Sequence, residues 1–322
     1  MQHIRDEGIR SLICKHLLRG RAAQAGLDSL GPGCRTAAMS LLPPPTSPIL
    51  PTGVSASVIE RMPAERARAT RLQQPQVSHF GLRKAFRHMH MYMFVYTPIY
   101  RCNYTDFLIN FAPTLTFFQS LVYQADEEIE EAQRGSRPFA DLAPWVARYE
   151  ILRSALSDLG LLDPMMTRLL DCISEYWQLE NQLNYHHVVN RETVQRAIRL
   201  RSCDVHAGNY ICLSIGKISN REAIFDALSL HDNILDLKGD LSEYADDVAE
   251  NSYNTYRMFV RLYGSSAADY MQEELTRYYE MMHKKIALLP ATDQTNFQQA
   301  LAIAEDLYPM PDIPAPIIEP VG

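Results

Sequence analysis

An all-α fold is predicted for this 322-residue chain by three observations. From about Val77 onward apolar residues recur at helical spacing, no stretch alternates with period two between turn signals, and glycine is sparse. With 47% hydrophobic and 21% charged residues, the chain can bury a sizeable core. The expected architecture is a single helical bundle over 77–308, preceded by an Arg/Pro-rich, poorly ordered extension over 1–76 and followed by a Pro-rich tail over 309–322.

The extension reads as irregular because "LLPPPTSPILPTG", Leu41 to Gly53, clusters prolines, which lack a backbone donor and fix φ. Its first 38 residues are rich in arginine, as an organelle-targeting peptide would be, but Asp6, Glu7 and Asp28 argue against that, and Met39 is an alternative start. Helices are then expected over 78–96, 104–131, 138–160, 163–187, 191–215, 220–241, 243–263 and 265–288. "GSRPFADLAPW" separates the second from the third, "GLLDPMM" the third from the fourth, and "LLPATDQ" follows the last, each with Gly or Pro where a helix must stop. Asp163 before Pro164 is an N-cap with proline at the first helical position. "DVHAG", Asp204 to Gly208, is an expected break within the fifth.

Charge and cysteine usage exclude several classes. The net charge of -7 and pI near 5.8 leave no basic surface of the kind that binds nucleic acid. The six cysteines are scattered with no CxxC pair, so neither a zinc site nor a disulfide framework is expected, and reduced thiols fit a cytoplasmic location. No run reaches the roughly 18 apolar residues of a membrane span.

Three features carry chemistry. In "LSLHDNILDLKGDLSEY", Asp232, Asp236 and Asp240 stand at steps of four; at about 3.6 residues per turn they form one stripe, which repels itself unless something neutralises it. In "FFQSLVYQADEEIEEAQRG" a largely apolar helix ends in Asp126, Glu127, Glu128, Glu130 and Glu131, the unfavourable end of the helix dipole for carboxylates, so a compensating cation is expected. Two acidic faces opposed across a cavity suit hard divalent cations. Between them lie Arg199 and Arg201, and guanidinium grips phosphate oxygens bidentately. A solvated stripe, surface arginines and a helical protein that binds a basic partner remain alternatives; that last alternative requires Asp232, Asp236 and Asp240 to be exposed.

The ordered set resembles the class I terpene synthases of bacteria and fungi, within the isoprenoid synthase superfamily, over roughly residues 80–265. "DEEIE" is similar to their first Asp-rich motif through Asp126, Glu127 and Glu130, with Glu at the second position. "DNILDLKGD" matches the spacing of their NDxxSxxxE motif, with Asp232, Asn233, Asp236 and Asp240 at its Asn, Asp, Ser and Glu positions. Arg201 fits the diphosphate-sensing arginine, Asp204 the acidic linker that holds it, and Val205 the residue presenting a carbonyl at the helix break. Arg277 and Tyr278 are the nearest counterpart of the C-terminal Arg-Tyr pair. "HDNILDLKGD" also resembles a motif of chain-elongating trans-prenyltransferases, and "LSLHDNILD" one of squalene and phytoene synthases.

The resemblance implies a prenyl diphosphate substrate, farnesyl or geranylgeranyl, and a trinuclear Mg2+ cluster, for which Mn2+ can substitute. The metal ligands it implies are Asp126, Glu127, Glu130, Asp232, Asn233, Asp236 and Asp240. Arg201, Asp204 and Val205 would serve catalysis, with Arg201, Lys238, Arg257, Phe118 and Trp177 contacting substrate. Phe117, Tyr92, Tyr96 and Tyr185 are further aromatic wall candidates, since ring faces stabilise cations. For all of these rings core packing is the competing reading. Of the histidines, His231 lies nearest the stripe, whereas His186, His187 and His206 read as structural. Asp246, Asp247 and Glu250 offer a second acidic patch, with Asn254 one turn from Arg257. A homodimer is compatible with the resemblance.

Overall fold

A computed structural model describes residues 77–134, 143–185 and 189–319. The extension over 1–76, and with it Met39 and the acids of the leading segment, lies outside the described residues, as do His186 and His187. Among the described residues every regular element is helical and there is no strand.

The chain enters at α1 (His79–His90), capped by Ser78, whose hydroxyl accepts from the Gly81 N–H at 3.2 Å. It continues through a π-helical turn, Met91–Val95, into the short α2 (Thr97–Tyr100). Then come α3 (Tyr104–Asn110) and α4 (Ala112–Arg134), whose last turns carry the acidic run. α5 (Ala143–Asp158) leads to α6 (Pro164–Tyr185), where the Met166 N–H donates to Asp163 Oδ1 at 2.9 Å, the expected cap with Pro164 at its first position.

α7 (Arg191–Arg201) and α8 (Cys203–Ile215) are separated only by Ser202, so the break falls two residues before the expected "DVHAG". α9 (Arg221–Glu250) is one uninterrupted helix of 30 residues. The expected boundary at 241–243 is absent because the buried Leu237, Leu241 and Tyr244 carry one packed face past Gly239 and Ser242; the stop comes at Asn251, in the left-handed region at φ 56. α10 (Thr255–Tyr263) and α11 (Ala267–Ala287) follow. A further helix, α12 (Ala291–Leu307), lies where no helix was expected: its apolar face consists largely of Phe297 and small alanines, a weak periodic signal in sequence.

α1 lies along α4, α9 packs on α11, and α8 sits among α6, α9 and α4. The core joins residues of all these layers, with Tyr92, Tyr96, Tyr100, Phe107, Trp145, Tyr210 and Tyr256 among its largest fully buried side chains. α8 is buried around most of its circumference, which fits an apolar helix enclosed by neighbours. At Gly208 an added Cβ would stand 2.3 Å from the Tyr92 hydroxyl, so glycine is required for the π turn to approach α8.

Residues 309–319 carry no helix, as their prolines dictate, yet they are tied down. Tyr256 donates to the Pro314 carbonyl at 2.7 Å, and the Ile317 N–H donates to the Tyr244 hydroxyl at 2.8 Å. Glu319 pairs with Arg257 at 2.6 Å and with Arg261 at 2.9 Å. No described helix is long and apolar enough to cross a membrane.

Candidate active site

Ser202 interrupts the backbone between α7 and α8, and its side chain fixes where the interruption sits. Its hydroxyl lies 3.0 Å from Asn233 Oδ1 and also bonds to Asp236 on α9. The pinned break projects Arg201 toward α9. There its guanidinium meets both oxygens of Asp240, at 2.7 and 3.0 Å, and stands 5.2 Å from the centre of the Tyr253 ring. α10 closes the other side of that carboxylate. The Thr255 N–H donates to Asp240 Oδ2 at 3.0 Å, while Asn254, the N-cap of α10, donates to the Asp240 carbonyl at 2.7 Å and to Asp247 at 2.8 Å.

Asp232, at the other end of the stripe, is equally enclosed. Only 2% exposed, it accepts from Tyr96 at 2.6 Å and from Asn209 at 2.7 Å. Tyr96 also contacts His231 Nδ1 at 2.9 Å. Burial, and then the charge of Lys238, holds the His231 ring down to about 3. The requirement of an exposed stripe, on which the partner-binding alternative depended, is therefore not met: Asp240 is 1% exposed and Asp236 half-buried. Burial raises all three carboxylates above the ordinary range, Asp240 to about 7 even beside Arg201.

On α4, Asp126 and Glu130 share one cation. Lys84 of α1 places its ammonium 2.7 Å from Asp126 Oδ2 and 2.9 Å from Glu130 Oε1. Burial would raise Asp126, but Lys84 outweighs it and holds that carboxyl below its ordinary value, whereas burial and the neighbouring Asp126 push Glu130 up to about 7. The Trp177 indole N–H points at Asp126 Oδ1 from 3.4 Å. Glu127 is half-buried at the same helix end, while Glu128 turns to α5, where Arg148 grips both of its oxygens at 2.7 and 3.0 Å. The compensating cation expected from the dipole argument exists, and among the described residues it is a lysine. Sequence reasoning missed it because Lys84 lies 42 residues before Asp126 and α1 offers no local sign of the pairing.

Asp204 stands between the two acidic faces. Burial, then the charges of Asp236 and Asp126, pushes its carboxyl up to about 7. It does not hold Arg201, as the resemblance implied; Asp240 does, because the turn at Ser202 swings position 204 toward α4. The Val205 carbonyl accepts from the Tyr92 hydroxyl at 3.3 Å, and Tyr92 accepts from Gln119 at 2.8 Å.

Other expected site residues go elsewhere. Lys238 lies about 200° around α9 from Asp236; its ammonium reaches Glu305 at 2.7 Å and the Tyr308 carbonyl at 2.8 Å. The buried Arg257 is taken up by Glu319, Asn251 and the Ser252 carbonyl. Arg277 pairs with Glu274 on its own helix and covers the Tyr278 ring, and Arg199 is exposed. Phe117 is 43% exposed and so walls nothing, whereas Phe118 is fully buried and Trp177 meets Trp145 edge-on at 4.9 Å. Tyr185 is half-buried at the end of α6. His206 lies 3.1 Å from the Ser229 carbonyl. Asp246 and Glu250 are exposed, which leaves Asp247 alone of that patch engaged with Asn254.

Among the described residues no three His, Cys, Asp or Glu side chains converge closely enough to form a ready metal cage. The pairings explain this: Lys84, Arg201, Tyr96 and Asn209 each draw a carboxylate to themselves. The side chains gathered here are carboxylate and amide oxygens, the donor type that a hard cation takes. Burial first, and neighbouring carboxylates after it, push Glu130, Asp204 and Asp240 each up to about 7. No protein-family model, curated protein or solved structure matches the chain.

Proposed function

We propose that the protein is a class I terpene synthase that ionises a linear prenyl diphosphate, farnesyl or geranylgeranyl, and cyclises the cation to a terpene hydrocarbon or alcohol with release of diphosphate. The observation that carries the reading is the helix break at Ser202: its hydroxyl bonds to Asp236 on α9, Arg201 before it pairs with Asp240, and the half-buried Asp204 after it opens the helix that packs on α4, which bears Asp126. The two acidic motifs and the arginine, far apart in sequence, thus lie within electrostatic reach of one helix break. The proposal extends to the bundle, read as an isoprenoid synthase-like fold around a central substrate cavity.

In this reading Asp126, Glu127 and Glu130 on one side, and Asn233, Asp236 and Asp240 on the other, are the oxygen donors that would hold Mg2+. Bound there, Mg2+ supplies the charge that turns diphosphate into a leaving group. Asp232 is committed to Tyr96 and Asn209 and so orients α9 more than it binds. Arg201, anchored by Asp240, offers its guanidinium to the departing diphosphate. The Val205 carbonyl, next to the break, directs a dipole toward the developing cation, and the buried rings of Tyr92, Phe118 and Trp177 exclude water. Lys238 and Arg257 have no part in this mechanism, because Glu305 and Glu319 hold them.

Incubating the protein with geranyl, farnesyl and geranylgeranyl diphosphates, with Mg2+ or with chelator, tests the reading. The expected result is Mg2+-dependent diphosphate release with a cyclic product in the organic extract. With isopentenyl diphosphate added as the five-carbon acceptor, a longer linear prenyl diphosphate would move the assignment to chain elongation, and no release from any of the three, with or without that acceptor, would overturn both.

A further inference from the structure

We propose that Lys84 is an internal counter-ion that competes with divalent metal for the first acidic motif, so that loading a cation onto Asp126 and Glu130 requires the lysine ammonium to withdraw. The inference rests on the reading of that motif as a metal site.

The geometry is that of a stand-in cation. One ammonium bridges two carboxylates placed one turn apart on α4, at 2.7 and 2.9 Å, where a divalent ion binding the same oxygens would have to sit. The lysine and the metal exclude each other by position and by charge. The bridge is also built in, because α1 is fixed against α4 two residues into its first turn. The Ser78 N–H donates to Gln124 Oε1 at 2.8 Å, and a Cβ at Gly81 would meet that same oxygen at 2.9 Å. This close approach sets the register that carries Lys84, one turn further along α1, over Asp126.

A resting place for the displaced side chain is present. Lys84 Nζ already lies 5.8 Å from the centre of the Tyr123 ring, whose face can hold an ammonium once the carboxylates are taken. The withdrawn charge would then stand beside the loaded metal, where it favours an anionic substrate. The arrangement predicts that the metal-free enzyme keeps its acidic face partly neutralised and that the cation binds weakly until Lys84 is removed.

Binding of Mn2+ to the full chain, measured at pH 8 from the loss of the free-ion paramagnetic signal, tests this without reference to turnover. Lys84→Gln is expected to tighten Mn2+ binding by about tenfold, within the usual range of coupling between sites, and Lys84→Gln/Asp126→Asn to lose that gain. Lys84→Met, which keeps the apolar stem, provides the same comparison if the glutamine variant does not fold, with circular dichroism as the check. Unchanged or weaker binding in the lysine variants, with Asp126→Asn still weakening the parent, would overturn the role of Lys84 and leave the metal motif standing. If Asp126→Asn changed nothing in either background, the motif itself would fall, and the counter-ion role with it.

Discussion

Arg201 and Asp240 form an ion pair across the junction of α7 and α9, hydrogen-bonded through Asp240 Oδ2, with the carboxylate fully enclosed and the guanidinium reaching it from a partly open side. The pair joins the helix break to the acidic stripe. Removing the arginine leaves a buried carboxylate that keeps Thr255 as a partner but has lost its cation. Arg201→Ala is therefore expected to lower stability by about 2–4 kcal/mol in urea denaturation, and Arg201→Ala/Asp240→Asn to recover at least half of the loss. Under the proposed function, both variants should release no diphosphate from prenyl substrates.

Asp240 also sets a pH dependence. Its carboxyl is raised to about 7 in the folded protein, against an ordinary value of 3.8. Between those values the folded state holds a proton that the unfolded state has lost, so this group's contribution falls as pH rises from about 4 to about 7 and is constant above. Asp240→Asn removes the titration. Its stability relative to the parent should rise across that window and level off beyond it, as read from urea midpoints at successive pH values; a difference independent of pH would show that the carboxyl titrates normally.

Tyr96 supplies one of the two donors that make the burial of Asp232 tolerable. Tyr96→Phe keeps the ring and deletes the donor, so thermal denaturation is expected to show a loss of about 1–3 kcal/mol. The same change frees His231, whose ring nitrogen shares the hydroxyl. Asn209→Ala should cost at least as much, since it removes the other donor and opens a gap beside Tyr100.

Arg257 is buried with its charge balanced by Glu319 in the segment after α12. The glutamate is held down to about 2, first by its hydrogen bond to Arg257 and then, against the opposing effect of burial, by Arg261. Glu319→Gln is expected to lower stability by about 1–3 kcal/mol at neutral pH. Because the parent loses this contribution as pH falls from 4.5 through about 2, the two proteins should converge at the acid end.

Much of this arrangement was legible in the sequence where the signal is local. A step of four on one helix suffices to align Asp232, Asp236 and Asp240, and Asp163 before Pro164 suffices to start α6. What failed were inferences that needed the third dimension. Lys238 sits between two site acids along the chain but on the opposite face of the helix. Lys84 was invisible because its partners lie on another helix. The resemblance implied that Asp204 holds Arg201, yet the turn at Ser202 parts the two side chains. α12 escaped notice because alanine packs closely in the fold without standing out in a hydrophobic pattern.

The π turn at Met91–Val95 has a bearing on how this chain can change over generations. Tyr92, Tyr96 and Tyr100 are spaced by four, a step that drifts by about 40° on a regular α-helix; the wider turn between them offsets that drift. All three hydroxyls point to one side, Tyr92 to the Val205 carbonyl, Tyr96 to Asp232 and Tyr100 to Asn209. Deleting a single codon here would let the wide turn close as a regular α-turn, and the offset that aims Tyr92 at Val205 and Tyr96 at Asp232 would go with it.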